Sequence, residues 1–168
     1  MNLKDSNSST HYQRIHNPSD NSFVFITETQ IEYKAYFLEA SDYFPNQSFS
    51  HSLFMFGFDI STEISEYKER KAYDEKVRNT ISQTIDDFLK YDKNRIVIYV
   101  CDTKDEKQMY RSRLFNKWFV NLSGETQIIK VDDVLYDSAY ISALLRNDNP
   151  FKNEFADAFF DLKDQFNK

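Results

Sequence analysis

The sequence predicts an α+β fold: an antiparallel or mixed sheet of about five to six strands with three helices, in the order βββ-α-β-α-β-β-α. Three observations carry this expectation. Residues 22–59 hold three strand-like runs joined by short loops. Three later stretches place apolar residues at helical spacing. Strands clustered at the start of the chain favour a sheet with its helices on one face and argue against an all-parallel sheet.

Residues 1–20, rich in Asn, Ser, His and Asp, show no periodicity. They predict a mobile polar arm ahead of a single α+β domain over residues 21–168. Residues 22–27 are β-branched and aromatic, the composition of a strand. In 30–39, Ile31, Tyr33, Ala35 and Phe37 alternate with Glu32, Lys34, Tyr36 and Leu38, so one face of that strand is buried. Glu28-Thr29 joins the two runs as a hairpin, although it is not a favoured turn dipeptide. In 52–59, Leu53, Met55 and Gly57 share one face and Phe54, Phe56 and Phe58 the other. Both faces are apolar, which suits a central strand covered on two sides.

The period then changes. Val77, Ile81, Ile85, Phe88 and Leu89 form the apolar stripe of a helix over 72–91. Residues 95–101 read as a continuous buried strand ending at Cys101. Tyr110, Leu114, Phe115, Trp118 and Leu122 mark a second helix over 106–121, ended by Ser123-Gly124. Strands follow at 126–131 and 139–146, although the second also fits a helical pattern. Asn149-Pro150 is a cap residue before a first-turn proline. It opens a helix over 150–166 whose face carries Phe151, Phe155, Phe159, Leu162 and Phe166.

Composition narrows function by exclusion. Two glycines leave no Gly-rich phosphate cradle, and one cysteine leaves no disulfide framework and no multi-thiolate zinc site. The net charge of −6 disfavours generic attraction to nucleic acid or an anionic membrane. Residues 61–120 carry a small positive balance between acidic ends, which reads as a mixed, solvated helix surface. No apolar run approaches a membrane span, and the polar N-terminus has no secretory core, so the cytoplasm is the expected compartment. Aromatic residues, 16 Phe, 11 Tyr and 1 Trp, must fill much of the core and can also form an interaction face.

One stretch gathers polar groups where a strand hands over to a helix, the end of a strand at which ligands tend to bind. There Asp102, Asp105, Arg111 and Arg113 stand close in sequence, with Lys104 beside them. Arg111 precedes Leu114, Phe115 and Trp118 by helical steps, so its guanidinium starts on a buried face and needs a carboxylate. Two arrangements suit these residues. One is an anion or phosphate site, and the other is an Arg111–Asp102 ion pair pinning the helix to the strand end. The three histidines are spread through the first third of the chain without ligand spacing, so no metal is expected. Cys101 lacks a neighbouring base in sequence and reads as a small buried thiol.

The segments Thr80-Ile81…Phe88, Ile98-Tyr-Val-Cys-Asp102…Asp105…Gln108…Arg111…Arg113-Leu-Phe-Asn-Lys-Trp-Phe119 and Arg146-Asn-Asp-Asn-Pro150 resemble a family of small uncharacterised bacterial proteins, a domain of unknown function. The resemblance covers most of 20–166, and the Cys-Asp…Arg…Leu-Phe…Trp-Phe segment is its most specific part. Where the family often has a glycine after the second Asp, this chain has Glu106. The resemblance implies a bacterial, stand-alone domain and assigns no activity to any residue.

No catalytic set is assembled in the sequence, so the expected function is a non-enzymatic interaction module of immunity, antitoxin, defence-accessory or regulatory type. It would act by binding another protein, without a cofactor, and self-association fits beside this. Phe54, Phe56, Phe58, Tyr110 and Trp118 are the candidate binding residues. The alternative is a phosphate-directed enzyme or nucleic-acid-binding domain centred on Asp102, Asp105, Arg111 and Arg113.

Overall fold

The computed structural model describes residues 9–60, 75–101, 108–119, 127–135 and 139–166. Seven strands form one mixed sheet: β1 (Ile15–Asn17), β2 (Ser22–Ile26), β3 (Glu32–Glu39), β4 (Leu53–Ile60), β5 (Ile96–Cys101), β6 (Ile128–Leu135) and β7 (Ala139–Arg146). Their spatial order is β1-β2-β3-β4-β5-β7-β6. Three helices complete the α+β fold: α1 (Glu75–Tyr91), α2 (Gln108–Phe119) and α3 (Lys152–Phe166).

The first four strands form an antiparallel meander. The β2–β3 turn closes because Gln30 adopts a positive φ of 62°. Thr27 both donates its N–H to Ile31 O at 2.9 Å and accepts the Ile31 N–H on Oγ1 at 3.0 Å. A longer loop with one left-handed residue thus replaces the two-residue turn that Glu28-Thr29 could not make.

β4 then pairs with β5 in parallel through only three residue pairs, Leu53 with Ile96, Phe54 with Val97 and Met55 with Ile98. α1 lies between these two strands in the chain, as a parallel pair requires. Beyond the seam, β5, β7 and β6 pair antiparallel along most of their lengths. β7 shows no clean alternation because it is a central strand with both faces covered, which is why its sequence also fits a helix.

Two apolar clusters lie on opposite faces of the sheet. On one face Phe25, Tyr33, Ala35, Phe37, Phe56, Val97 and Tyr99 meet Val77, Ile81, Ile85 and Phe88 of α1 and Phe115 and Trp118 of α2. On the other, Leu53, Ile96, Ile98, Ile141, Ala143 and Leu145 meet Phe155 and Phe159 of α3 and Phe44 and Phe49 from the β3–β4 connection. The expectation of helices on one face is corrected by this second layer. β4 and β5 are apolar on both sides, and water on either side would be costly. Asn149 is the cap foreseen from sequence. Its Oδ1 accepts the Phe151 N–H at 2.8 Å, and its Nδ2 donates to Arg95 O at 3.1 Å, tying the start of α3 to the start of β5.

The 1–20 arm is also corrected where it is described; residues 1–8 lie outside the described residues. Tyr12 is buried, and its N–H donates to Thr80 Oγ1 at 2.8 Å. Arg14 donates to Thr84 Oγ1 at 3.1 Å and pairs with Asp87 at 2.6 Å. Ile15–Asn17 then adds an edge strand to β2. No period betrays this segment, because all three β1 residues are exposed and single side chains do the anchoring.

Gly57 lies opposite Tyr36, whose ring covers it. A Cβ at Gly57 would stand 2.6 Å from Tyr36 Cε2, Cζ and the hydroxyl oxygen. Gly57→Ala must therefore push the ring aside, and we expect it to destabilise the fold by about 1–2 kcal/mol. In a Tyr36→Ala background the same change should cost close to nothing. Urea midpoints of the four proteins in this cycle check both expectations.

Candidate functional site

The residues singled out from sequence fall into two groups. Asp102 and Asp105 lie outside the described residues. Tyr110 and Arg111 belong to the α2 backbone, but their side chains are likewise outside the described set. Arg113 is exposed on α2. The choice between an ion pair and an anion site at this cluster therefore falls on side chains outside the described residues.

The aromatic group is described, except for Tyr110. Phe56 and Trp118 are buried, and Phe54 and Phe58 are partly buried against the same cluster. Phe58 lies 5.9 Å from Phe115 and 6.0 Å from Trp118, and Phe54 meets Phe88 edge-on at 5.1 Å. These rings fill the space under α1 and α2 and do not make an open aromatic face.

On the same covered side, three neighbouring strands bring a polar row together. Tyr99 on β5 is paired with Ser142 on β7, which is paired with Asp132 on β6. Ser142 Oγ donates to Asp132 Oδ1 at 2.5 Å. Lys130 donates to the same carboxylate oxygen and, at 2.5 Å, to Asn116 Oδ1 on α2. The Tyr99 hydroxyl is buried beside Ser142, whose nearby hydroxyl favours the ionised phenol slightly, and among the described residues none meets it at full hydrogen-bonding geometry. Burial, the largest influence, pushes its phenol far above the usual value, and the Asp132 charge adds to the rise. A phenol held neutral beside a serine already committed to a carboxylate is a poor base at ordinary pH. The row ties α2 to the sheet edge and offers no activated nucleophile. Sequence reasoning missed it because its members lie on three strands and touch only in the folded register.

On the opposite side of the meander, Leu53 and Met55 of β4 pack toward α3, while several side chains of β1, β2 and β3 are exposed. Register places Ile15, Val24, Ile26, Lys34, Tyr36, Leu38 and Asp59 on one face. Ile15 is 71% exposed, Ile26 51% and Leu38 52%. Lys34 donates to Asp20 at 2.9 Å, which holds that carboxyl below its usual range. The Tyr36 phenol is raised, chiefly by burial and then by the charge and hydrogen bond of Asp59. The clusters under α1, α2 and α3 contain none of Ile15, Ile26 or Leu38. The alternation in 30–39 marked this face as the exposed one, but its aliphatic content was hidden among Glu32 and Lys34.

Among the described residues no group of His, Cys, Asp and Glu could hold a metal ion. Cys101 is buried in the core beneath α2. No helix among the described residues is long and apolar enough to cross a membrane.

Comparison with known proteins gives one match: the model of a Family of unknown function (DUF6169) aligns with residues 73–161. That span runs from α1 into α3 and is shorter than the 20–166 expected from sequence; the meander lies ahead of it. No curated protein and no solved structure matches.

The buried phenol makes stability sensitive to alkali. Below the usual pKa of 10.0 the hydroxyl is protonated in both folded and unfolded chains, so its contribution is fully present. Above that, the unfolded phenol ionises while the folded one does not, and stability falls as pH rises toward the folded value. Tyr99→Phe should be neutral or stabilising by up to about 1 kcal/mol at pH 7, since it removes an unpaired buried hydroxyl. It should also flatten the decline above about pH 10, as read from urea midpoints across that range.

Proposed function

The chain belongs to the family of unknown function DUF6169, and on that footing we propose a non-enzymatic protein-interaction module that works through the face of its β-meander opposite α1. Bacterial origin, a cytoplasmic setting and a role of immunity, antitoxin, defence-accessory or regulatory type belong to the same proposal. The observation that carries it is the placement of three large, well-exposed aliphatic side chains, Ile15, Ile26 and Leu38, on one sheet face. Ile15 and Ile26 flank Val24 on neighbouring strands, and Leu38 stands six residues along β3 from Glu32, the partner of Ile26. Apolar side chains spaced across a polar face suit an interface whose contacts are each ringed by polar groups.

The occupant proposed is another protein whose surface offers aliphatic side chains ringed by lysine and arginine. Glu32 and Asp59 lie on this face, while Lys34 is already matched by Asp20. The whole chain is acidic, at −6. A basic rim on the partner would be steered toward it, and a like-charged surface would be repelled. Such binding requires no chemistry from the chain.

The test is co-purification from the source cell with paired variants. Ile26→Lys and Leu38→Lys change exposed positions and should leave the thermal midpoint close to that of the parent. Together they should reduce recovery of a stoichiometric protein partner by about tenfold or more. Undiminished recovery with the double variant would move the interface elsewhere. Recovery of the chain alone, from cells grown under several conditions, would count against a protein partner altogether.

A further inference from the structure

A cavity of about 410 Å³ opens on the α1 side of the sheet, lined by His16, Pro18, Asn21, Phe23, Asp87, Phe88, Tyr91 and Arg95. Its volume falls within the usual range for small-molecule sites. The lining is chemically asymmetric. Pro18, Phe23 and Phe88 give apolar walls, and the His16 ring lies stacked on Phe23 at 4.5 Å. Arg95 is held among three rings, its guanidinium centre 4.0 Å from the Phe88 centroid, 4.7 Å from Tyr91 and 5.6 Å from Phe54.

The charges around the cavity are not balanced against one another. Asp87 is occupied on both oxygens, by Arg14 at 2.6 Å and by Gln83 Nε2 at 2.7 Å. Arg95 uses one donor, from NH1 to Phe88 O at 3.0 Å, which closes the C-terminal turn of α1. The guanidinium carries five N–H donors. No carboxylate among the described residues stands within ion-pair distance of it; Asp92 acts on it only through space, with Oδ1 taken by the Asn94 N–H. Asn21, in the β1–β2 turn with φ 56°, brings a side-chain amide that has no hydrogen-bond partner among the described residues. Unspent donors, apolar walls and a stacked guanidinium meet in one cavity.

We propose that this cavity binds a small organic monoanion with a flat, apolar body, its carboxylate on Arg95 and its ring between the aromatic walls. Guanidinium and carboxylate match edge to edge through paired N–H···O bonds. The buried Phe88 ring packs against the guanidinium at 4.0 Å, and the largely exposed Tyr91 meets it at 4.7 Å. Burial, the largest influence on Arg95, disfavours its charged form, and a bound anion would relieve that cost. A dianion is less well matched, because one cation is offered and Arg14 is committed to Asp87. This site is separate from the meander face and stands or falls apart from it.

Phenylacetate, benzyl alcohol and benzylamine share a ring and differ in charge, so a nitrogen–proton correlation NMR titration of the full chain reads the proposal directly. Phenylacetate should shift the amides of Asn21, Phe23, Asp87, Phe88 and Tyr91 saturably. It should bind at least about tenfold more tightly than benzyl alcohol, with benzylamine weakest. Arg95→Gln should reduce phenylacetate to the level of benzyl alcohol. Because Arg95 also closes α1, Asp87→Asn supplies an independent arm: it leaves the Arg14 charge uncompensated and should tighten phenylacetate several-fold while weakening benzylamine. Equal binding of the acid and the alcohol, weakening by Asp87→Asn, or no saturable shift at these amides up to about 20 mM would each overturn the proposal.

Discussion

Phe88 stands where the two halves of the sheet meet, and its ring is the contact on which their arrangement depends. It lies parallel to Phe37 of β3 at 3.7 Å, meets Phe54 of β4 edge-on at 5.1 Å, and carries the Arg95 guanidinium at 4.0 Å. The backbone alone would join the halves weakly, since β4 and β5 share only three residue pairs. α1 makes up the difference by laying one aromatic side chain against β3, β4 and Arg95, the residue before β5. Fully burying such a ring is worth about 1.5–3 kcal/mol, and dispersion with its neighbours adds to that. Arg95 completes the joint: its NH1 donates to Phe88 O at the end of α1, and its own carbonyl accepts from Asn149 Nδ2.

This joint separates the two proposed surfaces. The sheet beyond the seam is covered on both faces, by α2 on one and α3 on the other, and its polar row from Tyr99 to Lys130 is spent on holding strands and helix together. The meander is covered by α1 on one side, and on the other α3 reaches only its β4 end at Leu53 and Met55, leaving Ile15, Ile26 and Leu38 exposed. The cavity lies on the covered side, bounded by the β1–β2 turn and the last turn of α1. The two surfaces therefore lie on opposite sides of the same strands. The family-matched span holds α1, β5, β7 and much of α3, whereas the open face is built from residues ahead of it.

Much of the fold is legible in sequence because its signals are local. The alternation of Ile31 to Leu38 gives a strand and its buried face, the two apolar faces of 53–58 announce a doubly covered strand, and Asn149-Pro150 marks a helix start. What escapes is set by contacts distant along the chain. β1 has no pattern of its own and exists because Tyr12 and Arg14 reach Thr80, Thr84 and Asp87 on α1. The phenylalanines of 54–58 read equally well as core or interface, and only the placement of α1 and α2 decides for core. Arg95 looks like the first residue of an apolar strand, yet its side chain serves the preceding helix and a cavity wall. The candidate face was likewise hidden, since Ile15, Ile26 and Leu38 come to share one face only through strand register, with Leu38 six residues along β3 from Glu32, the partner of Ile26.

The most direct test of whether the meander face docks another protein is site-specific photocrosslinking in the living cell. A photoreactive phenylalanine analogue is placed at Leu38, on the open meander face, and separately at Asn153, exposed on α3 at the other end of the sheet. A discrete crosslinked protein from position 38 and none from position 153 is the expected result. A crosslink from position 153 alone, or none from either, would contradict a docking role for the meander face.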